Sequence, residues 1–224
     1  MISTAAFFDV DETLIRMKSM FHFYQYWSAV RGCQKEYEVF MQEFRLALAE
    51  GVKRETLNRM YYRQFIGVNI DDIYQVAEDW FHEFLLHKDS YIPAAVDSFQ
   101  RHKRRGDITV FISGSMLPLL KPLGTKLGVD AILCTQLLLD ENGKLTGEIG
   151  SPQTIGQGKQ HALLSFSDKN KIDLTKSFAY GDDLSDIPML MATGNPVCIG
   201  ENSSLAEHAR QNKWKVLTDS VYIN

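Results

Sequence analysis

The sequence of 224 residues has few cysteines and prolines and no long apolar run. Its three cysteines, Cys33, Cys134 and Cys198, are odd in number and widely spaced, so they fit neither a disulfide framework nor a zinc site. No apolar stretch reaches membrane-spanning length, and the first residues lack the basic region of a signal peptide. We therefore expect a cytoplasmic protein without a membrane partner.

Strong charge of either sign is also missing, because the net charge is only −4. A nucleic-acid-binding domain normally carries a basic face, so no nucleic-acid partner is expected. The short basic run at 103–105 stands just before Gly106. Cations followed by glycine are typical of the last turn of a helix and its stop, and we interpret the run in that way.

Residues 16–90 contain no proline and only three glycines. Aromatic and other apolar residues recur there at helical spacing, for example Phe40, Phe44 and Leu48. This pattern predicts three or four helices that are broken near Gly32, Gly51 and Gly67. We expect this helical segment to be a cap domain inserted after the first strand. The sequence does not indicate an oligomeric state.

Short apolar runs alternate with helical patterns in the remainder of the chain, which predicts a doubly wound, Rossmann-like α/β core formed by residues 1–15 and 91–224. The expected strands cover residues 4–9, 107–113, 131–134, 177–180, 196–199 and 215–217. The expected helices cover residues 93–105, 117–127, 159–167, 187–191 and 204–211. A turn at 141–143 predicts a hairpin between residues 136–140 and 144–148.

Two acidic residues, Asp9 and Asp11, follow the first predicted strand. Parallel α/β sheets bind their ligands beyond the carboxyl ends of the strands, so this position suits a site. The pair alone is equally consistent with a capped turn. The residues at the ends of the other predicted strands decide between the two interpretations.

Three further polar groups stand at element boundaries: Ser113-Gly114-Ser115, Lys159, and the acidic run 181–186. Asp9, Asp11 and Asp182 could supply oxygen ligands for Mg²⁺. The serine hydroxyl and the loop amides could donate hydrogen bonds to a phosphate, and Lys159 could neutralise its charge. Acids, a cation and amide donors together predict a phosphoryl-transfer site.

These segments resemble the four motifs of the haloacid dehalogenase superfamily, subfamily IB, in its phosphoserine-phosphatase-like branch. Residues 7–14 (FFDVDETL) match the first motif, 111–115 (FISGS) the second, Lys159 the third and 181–186 (GDDLSD) the fourth. The resemblance covers nearly the whole chain. It implies that the helical segment is a C1 cap.

The resemblance implies a Mg²⁺-dependent phosphomonoesterase that acts on a small phosphorylated metabolite. Asp9 would be the nucleophile that forms an aspartyl-phosphate, and Asp11 would be the general acid and base. Ser113, Gly114 and Lys159 would hold the phosphate.

The resemblance also implies a metal site and its supporting residues. Asp9, Asp182 and the carbonyl of Val10 would bind Mg²⁺, with Asp11 beside them. The supporting residues would be Thr13, Asp183, Ser185 and Asp186, of which Asp186 would order the lysine.

Other activities of the superfamily remain to be weighed. Dehalogenases lack an acid at the position of Asp11, and P-type ATPases need transmembrane helices, so neither fits. A phosphotransferase or phosphomutase would use the same aspartyl-phosphate with a different cap. A non-catalytic binding module is the alternative from another class, although every expected chemical residue is present.

One stretch departs from the phosphoserine phosphatases. Those enzymes carry an acid shortly after the first motif that pairs with the substrate ammonium, and here Lys18 aligns with it. A cation cannot pair with an ammonium group. Phosphoserine is therefore disfavoured, and Arg16 and Lys18 either contact a second anionic group of the substrate or face water.

Overall fold

A six-stranded, fully parallel sheet forms the centre of the computed structural model, which describes residues 3–218. The strand order is β3-β2-β1-β6-β7-β8, and β4 and β5 form a separate antiparallel hairpin. The strands are β1 (Ala5–Phe8), β2 (Ile108–Met116), β3 (Ala131–Thr135), β4 (Leu137–Leu139), β5 (Leu145–Ile149), β6 (Phe178–Gly181), β7 (Asn195–Ile199) and β8 (Lys215–Leu217). Residues 1–2 and 219–224 of the expected core lie outside the described residues.

Nine α-helices accompany the strands within residues 3–218. They are α1 (Ser19–Val30), α2 (Gln34–Ala49), α3 (Arg54–Arg63), α4 (Ile70–Phe84), α5 (Pro93–Arg105), α6 (Leu117–Leu127), α7 (Gln157–Asn170), α8 (Ile187–Leu190) and α9 (Ala206–Gln211). The α/β class and the four helices of the inserted segment are confirmed. The basic run 103–105 is the last turn of α5, and Gly106 ends that helix in the left-handed conformation.

The strand order reverses at β1, which lies between β2 and β6. Phe8, the last residue of β1, is paired with Phe111 on one side and Tyr180 on the other. Ser113 and Asp182 each come two residues after those partners. Asp9, Ser113 and Asp182 therefore meet at one edge of the sheet, at the reversal point where such folds bind ligands.

Alternate residues of β1 are buried on opposite faces of the sheet. Ala6 and Phe8 pack in the larger apolar cluster, where the Phe8 ring stacks on Tyr180 with centroids 4.2 Å apart. Ala5 and Phe7 pack in the second cluster with α7, α8 and α9. The strand that carries the first motif is thus fixed from both sides.

The inserted helices α1–α4 are bonded to the β4–β5 hairpin through the main chain. The Gly67 amide donates to the Leu145 carbonyl at 2.8 Å, and the Leu145 amide donates to the Val68 carbonyl at 2.8 Å. The Ile70 amide donates to the Gly143 carbonyl at 3.1 Å. The hairpin therefore supports the helical segment as well as the core.

Several element ends differ from the sequence predictions. Strand β2 continues to Met116, because an irregularity after Ser113 shifts its register with β3 and the strand then resumes. Helix α7 runs from Gln157 to Asn170, beyond the predicted 159–167. Within residues 3–218, no helix has the length and apolarity needed to cross a bilayer. The three cysteines are free.

Candidate active site

The loop after β1 folds back on itself through the carbonyl of Val10. This oxygen accepts hydrogen bonds from the amides of Thr13 (3.3 Å), Leu14 (2.8 Å) and Ile15 (3.1 Å). The turn after β1 thus already uses this oxygen. That the Val10 carbonyl also ligates Mg²⁺ stays a prediction.

Lys159 lies between two carboxylates. Its Nζ donates to Asp9 Oδ1 at 2.7 Å and to Asp186 Oδ1 at 2.6 Å, and all three side chains are buried. Burial alone would lower the pKa of Lys159, but the two anions raise it well above its usual value. The lysine is therefore a fixed cation that holds Oδ1 of Asp9 in place.

Asp182 is oriented by a residue of the first motif, because Thr13 Oγ1 donates to Asp182 Oδ1 at 2.8 Å. The glycine before Asp182 permits close packing of the loop. A Cβ at Gly181 would lie 2.6 Å from Asp186 Oδ2, so a larger residue would displace that carboxylate. Thr13 and Asp186 thus contact the residues that the sequence predicts them to support.

The irregular part of β2 at 113–115 contributes a hydroxyl to the same cavity. Ser113 Oγ accepts from the amide of Ser115 at 3.1 Å, which leaves the Ser113 hydroxyl hydrogen available to a phosphate oxygen. The Ser115 amide is consequently not free for phosphate, contrary to expectation. A Cβ at Gly114 would lie 2.7 Å from Ile155, so glycine is needed there.

Asp11 is held differently from Asp9. Its Oδ2 accepts from the amide of Ser19 at 3.0 Å, whereas its buried Oδ1 has no hydrogen-bond partner among the described residues. Burial raises the pKa of Asp11 to about 6, against the opposing effect of the bonds from Ser19. A carboxyl group with such a pKa can carry a proton near neutral pH.

The buried carboxylates outnumber the buried cations. Burial raises the pKa of Asp9 well above its usual value, Lys159 opposes the increase, and the charges of Asp186 and Asp182 add to it. Burial and the charge of Asp186 raise the pKa of Asp182 to about 7. Such an excess of negative charge favours a bound cation.

The donor set fits Mg²⁺. Carboxylate oxygens of Asp9, Asp182 and Asp186 lie within 4.8 Å of one another, and Mg²⁺ prefers one or two carboxylates completed by water and phosphate oxygens. Both oxygens of Asp186 accept hydrogen bonds, Oδ1 from Lys159 and Oδ2 from the Asp183 amide at 3.4 Å, so Asp9 and Asp182 are the better ligands. Asp11 is not part of this cluster.

A cavity of about 230 Å³ extends from these residues to the inserted helices. Arg54, at the start of α3, forms a two-pronged ion pair with Asp183 at 2.8 and 2.9 Å and donates to Ser185 Oγ at 3.0 Å. Tyr62 Oη donates to the Gly114 carbonyl at 2.7 Å. The helical segment therefore covers the site directly.

The remaining predicted residues lie at the rim. Lys18 lines the cavity and pairs with Glu12 at 3.2 Å. Arg16 is exposed and is not among the residues that line the cavity. Burial opposes ionisation of Asp183, but the Ser185 amide and Arg54 hold its pKa below the usual value. Asp183 thus serves as the anchor for Arg54.

Sequence reasoning missed the residues of the inserted helices that reach the site. Arg54, Asn58, Tyr61 and Tyr62 lie on α3, and their contacts with the core span more than fifty positions of sequence. In the sequence they form a run of polar and aromatic residues within a helix, which is also typical of an exposed helix face. Only the contacts of α3 with the second motif show that these residues line the site and do not form such a face.

A family described as haloacid dehalogenase-like hydrolase matches residues 6–191 of the chain. The chain belongs to this family. Its relatives include a phosphoserine phosphatase of Mycobacterium tuberculosis, 26% identical over 227 residues, which cover 96% of this chain and 70% of that protein. A histidinol-phosphatase of Neisseria meningitidis is 25% identical over 234 residues, which cover 95% and 97%.

A solved structure of a Bordetella pertussis protein of unknown function has the same fold, with a TM-score of 0.86 and 19% identity, and covers 98% of this chain and 100% of that one. The family and its phosphatase relatives identify the chain as a phosphoric monoester hydrolase of the phosphoserine-phosphatase-like branch.

Proposed function

We propose that this hydrolase is a Mg²⁺-dependent phosphomonoesterase that acts on a small metabolite through an aspartyl-phosphate on Asp9. The observation that carries the proposal is the geometry around Lys159. Its bonds to Asp9 and Asp186 fix Oδ1 of Asp9 at the cavity that Asp9 and Ser113 both line. A placed nucleophile, charge neutralisation and a proton donor are the main requirements of phosphoryl transfer.

In the first step, Asp9 Oδ2 attacks the phosphorus atom and the bond from phosphorus to the alcohol oxygen breaks. The Ser113 hydroxyl and Lys159 hold the phosphoryl oxygens during the transfer. Protonated Asp11 gives its proton to the departing alcohol, for which its pKa of about 6 is suited. A bound Mg²⁺ would supply further neutralisation of the phosphoryl charge.

In the second step, water attacks the phosphorus atom of the aspartyl-phosphate. Asp11, now ionised, takes a proton from this water, and the bond between phosphorus and Asp9 Oδ2 breaks. Phosphate leaves, Asp9 is regenerated as a carboxylate, and Asp11 is again protonated. The same residue thus serves as acid and base in turn.

Residues 16–90 act in this proposal as the cap, and residues 1–15 and 91–224 as the core. The contacts of Arg54 and Tyr62 with the core support a cap that excludes bulk water from the cavity. We propose that the acceptor is water and that the enzyme is not a phosphotransferase. Phosphate release in the presence of ethanol tests this, because a transferase would form ethyl phosphate at the expense of free phosphate.

The substrate class is narrower than the names of the relatives suggest. Phosphoserine and histidinol phosphate each carry an ammonium group. Here Lys18 stands where phosphoserine phosphatases have an acid, and Glu12 is paired with it. We propose that phosphoserine is not the substrate.

The test of the function is phosphate release from a panel of phosphomonoesters with Mg²⁺. We expect release by the natural sequence, its loss on chelation of Mg²⁺, and its loss in Asp9→Asn. The control is Asp168→Asn, which changes an exposed acid near the far end of α7. Unchanged hydrolysis by Asp9→Asn would refute the nucleophile assignment.

A further inference from the structure

The charged side chains around the cavity are all committed to partners. Beyond the motif residues already described, the charged residues that line it are Glu12, Lys18, Arg54 and Asp183. Glu12 pairs with Lys18 at 3.2 Å, and Arg54 pairs with Asp183 at 2.8 Å. Outside the motif residues, each charged side chain that lines the cavity is therefore paired within the protein, and a charged group on the alcohol part of a substrate would have to compete with an existing ion pair.

Most of the other side chains that line the cavity are apolar. Phe21 and Phe44 meet edge to face with centroids 4.8 Å apart. The other apolar lining residues come from α1, α2, α3 and the loop before α7, and they are Met20, Leu48, Leu57 and Ile155. Leu48 is 55% exposed, so an apolar side chain also reaches the mouth of the cavity, in addition to the paired charges there.

Two polar side chains interrupt this wall. Asn58 is fully engaged, because it donates to the Gly114 carbonyl at 3.3 Å and accepts from Gln153 at 2.6 Å. Tyr61 is fully buried, and its hydroxyl has no hydrogen-bond partner among the described residues. The accessible part of the wall thus offers mainly dispersion contacts.

The cavity volume of about 230 Å³ lies below the roughly 300 Å³ at which pockets for drug-sized ligands begin. Burying a charged group without a partner is costly, whereas an apolar group gains free energy there. We propose that the substrate is the phosphomonoester of an alcohol with an uncharged, apolar body of about one ring, which packs against Phe21, Phe44 and Leu57. This inference rests on the proposed function.

The first test compares kcat/KM for primary-alcohol phosphates that differ in the alcohol body. We expect 2-phenylethyl phosphate to exceed O-phospho-L-serine and L-histidinol phosphate by about tenfold or more, since contacts in an apolar pocket discriminate on that scale. Equal or better hydrolysis of either ammonium compound would overturn the inference and leave the phosphatase assignment intact. If phosphate were released from none of these compounds and not from methyl phosphate either, both the inference and the phosphatase assignment would be overturned.

The second test uses two exposed leucines of α2. Leu48 lines the cavity and is 55% exposed, whereas Leu46 is 58% exposed and lines a separate surface groove. We expect Leu48→Ser to lower the ratio of kcat/KM for 2-phenylethyl over methyl phosphate by about threefold or more, since each lost methylene contact counts roughly fourfold. Leu46→Ser should leave the ratio unchanged. If Leu48→Ser and Leu46→Ser gave the same ratio of kcat/KM values, the proposed apolar contact of the substrate with Leu48 would be contradicted.

Discussion

Asp11 differs from Asp9 in one oxygen atom that is buried without a partner among the described residues. Because burial raises its pKa to about 6, the protonated form decreases as the pH rises above 6. We expect Asp11→Asn to reduce kcat/KM, which reports the first transfer and not the later hydrolysis of the aspartyl-phosphate, by about 100-fold or more for alkyl phosphates, and to reduce it less for p-nitrophenyl phosphate, whose leaving group needs little protonation. Steady-state rates with both substrates measure the difference.

The control is Glu12→Gln, which changes the neighbouring acid at the rim of the cavity. This variant should not alter the ratio of the rates for the two leaving groups. An equal loss for both substrates in Asp11→Asn would contradict the role of Asp11 as the acid.

Tyr61 and Tyr62 are adjacent and buried but differ in hydrogen bonding. Tyr62 Oη donates to Gly114, whereas Tyr61 Oη has no partner among the described residues. We expect Tyr62→Phe to lower the free energy of unfolding by about 1 kcal/mol, and Tyr61→Phe to leave it unchanged or raise it, since a buried unbonded hydroxyl is unfavourable. Urea denaturation measures both. A larger loss in Tyr61→Phe would contradict the difference in hydrogen bonding.

Single residues show why the site was only partly predictable. Asp9, Ser113 and Asp182 lie at one edge of the sheet, as the sequence predicts, because they stand at or near the carboxyl ends of neighbouring parallel strands. The bonds of the Val10 carbonyl could not be predicted, because they depend on a turn made by three later amides. Arg54 was missed because its partner Asp183 is 129 positions away along the chain.

Helix α3 connects the inserted helices to the rest of the protein through two ion pairs that differ in exposure. Arg54 at its start grips Asp183 and Ser185 beside the cavity, and Arg63 at its end pairs with Glu148 of the hairpin at 3.3 Å. Partly exposed ion pairs stabilise little, about 1 kcal/mol or less. We therefore infer that the Arg54 contact holds α3 over the cavity and adds little to the free energy of unfolding.

We accordingly expect Arg54→Ala to reduce kcat/KM about tenfold while the melting temperature changes little, because a misplaced element near the chemistry costs rate. Arg63→Ala is the matched control and should change neither quantity. Steady-state kinetics and thermal melts of both variants measure these two quantities. Equal kinetic effects in the two variants would contradict a specific role for Arg54.

The elements themselves were largely predictable, since their signals are local. Pro93 and Gly106 bound α5 as expected, and the hairpin forms around its turn at 141–143. The main-chain bonds of Gly67 and Ile70 to that hairpin are long-range and leave no pattern in the sequence. The orientation of the inserted helices on the core therefore could not be predicted from the sequence and is known only from the structure.

On the scale of the molecule, the buried acids oppose folding unless a cation is present. The pKa of Asp182 is raised to about 7, so without metal the stability decreases as the pH rises from about 4 to about 7. Bound Mg²⁺ should reduce this loss of stability. At a Mg²⁺ concentration of 100 times Kd, binding adds about 2.7 kcal/mol to the free energy of unfolding. We expect Mg²⁺ to raise the melting temperature more at pH 8 than at pH 5.

The same melts with Asp182→Asn provide the control for this linkage. This variant should be more stable than the natural sequence at pH 8 without Mg²⁺, because one buried charge is gone. It should also respond less to Mg²⁺. An equal response to Mg²⁺ in both proteins would place the cation elsewhere.

The account depends most on the covalent role of Asp9. The direct measurement is acid quenching during turnover with Mg²⁺ and a phosphomonoester, followed by mass spectrometry of the peptides. We predict a transient phosphoryl group on Asp9 that forms and decays at rates compatible with kcat, and no such adduct in Asp9→Asn. Full turnover with phosphate on no residue, or on a residue other than Asp9, would contradict the mechanism.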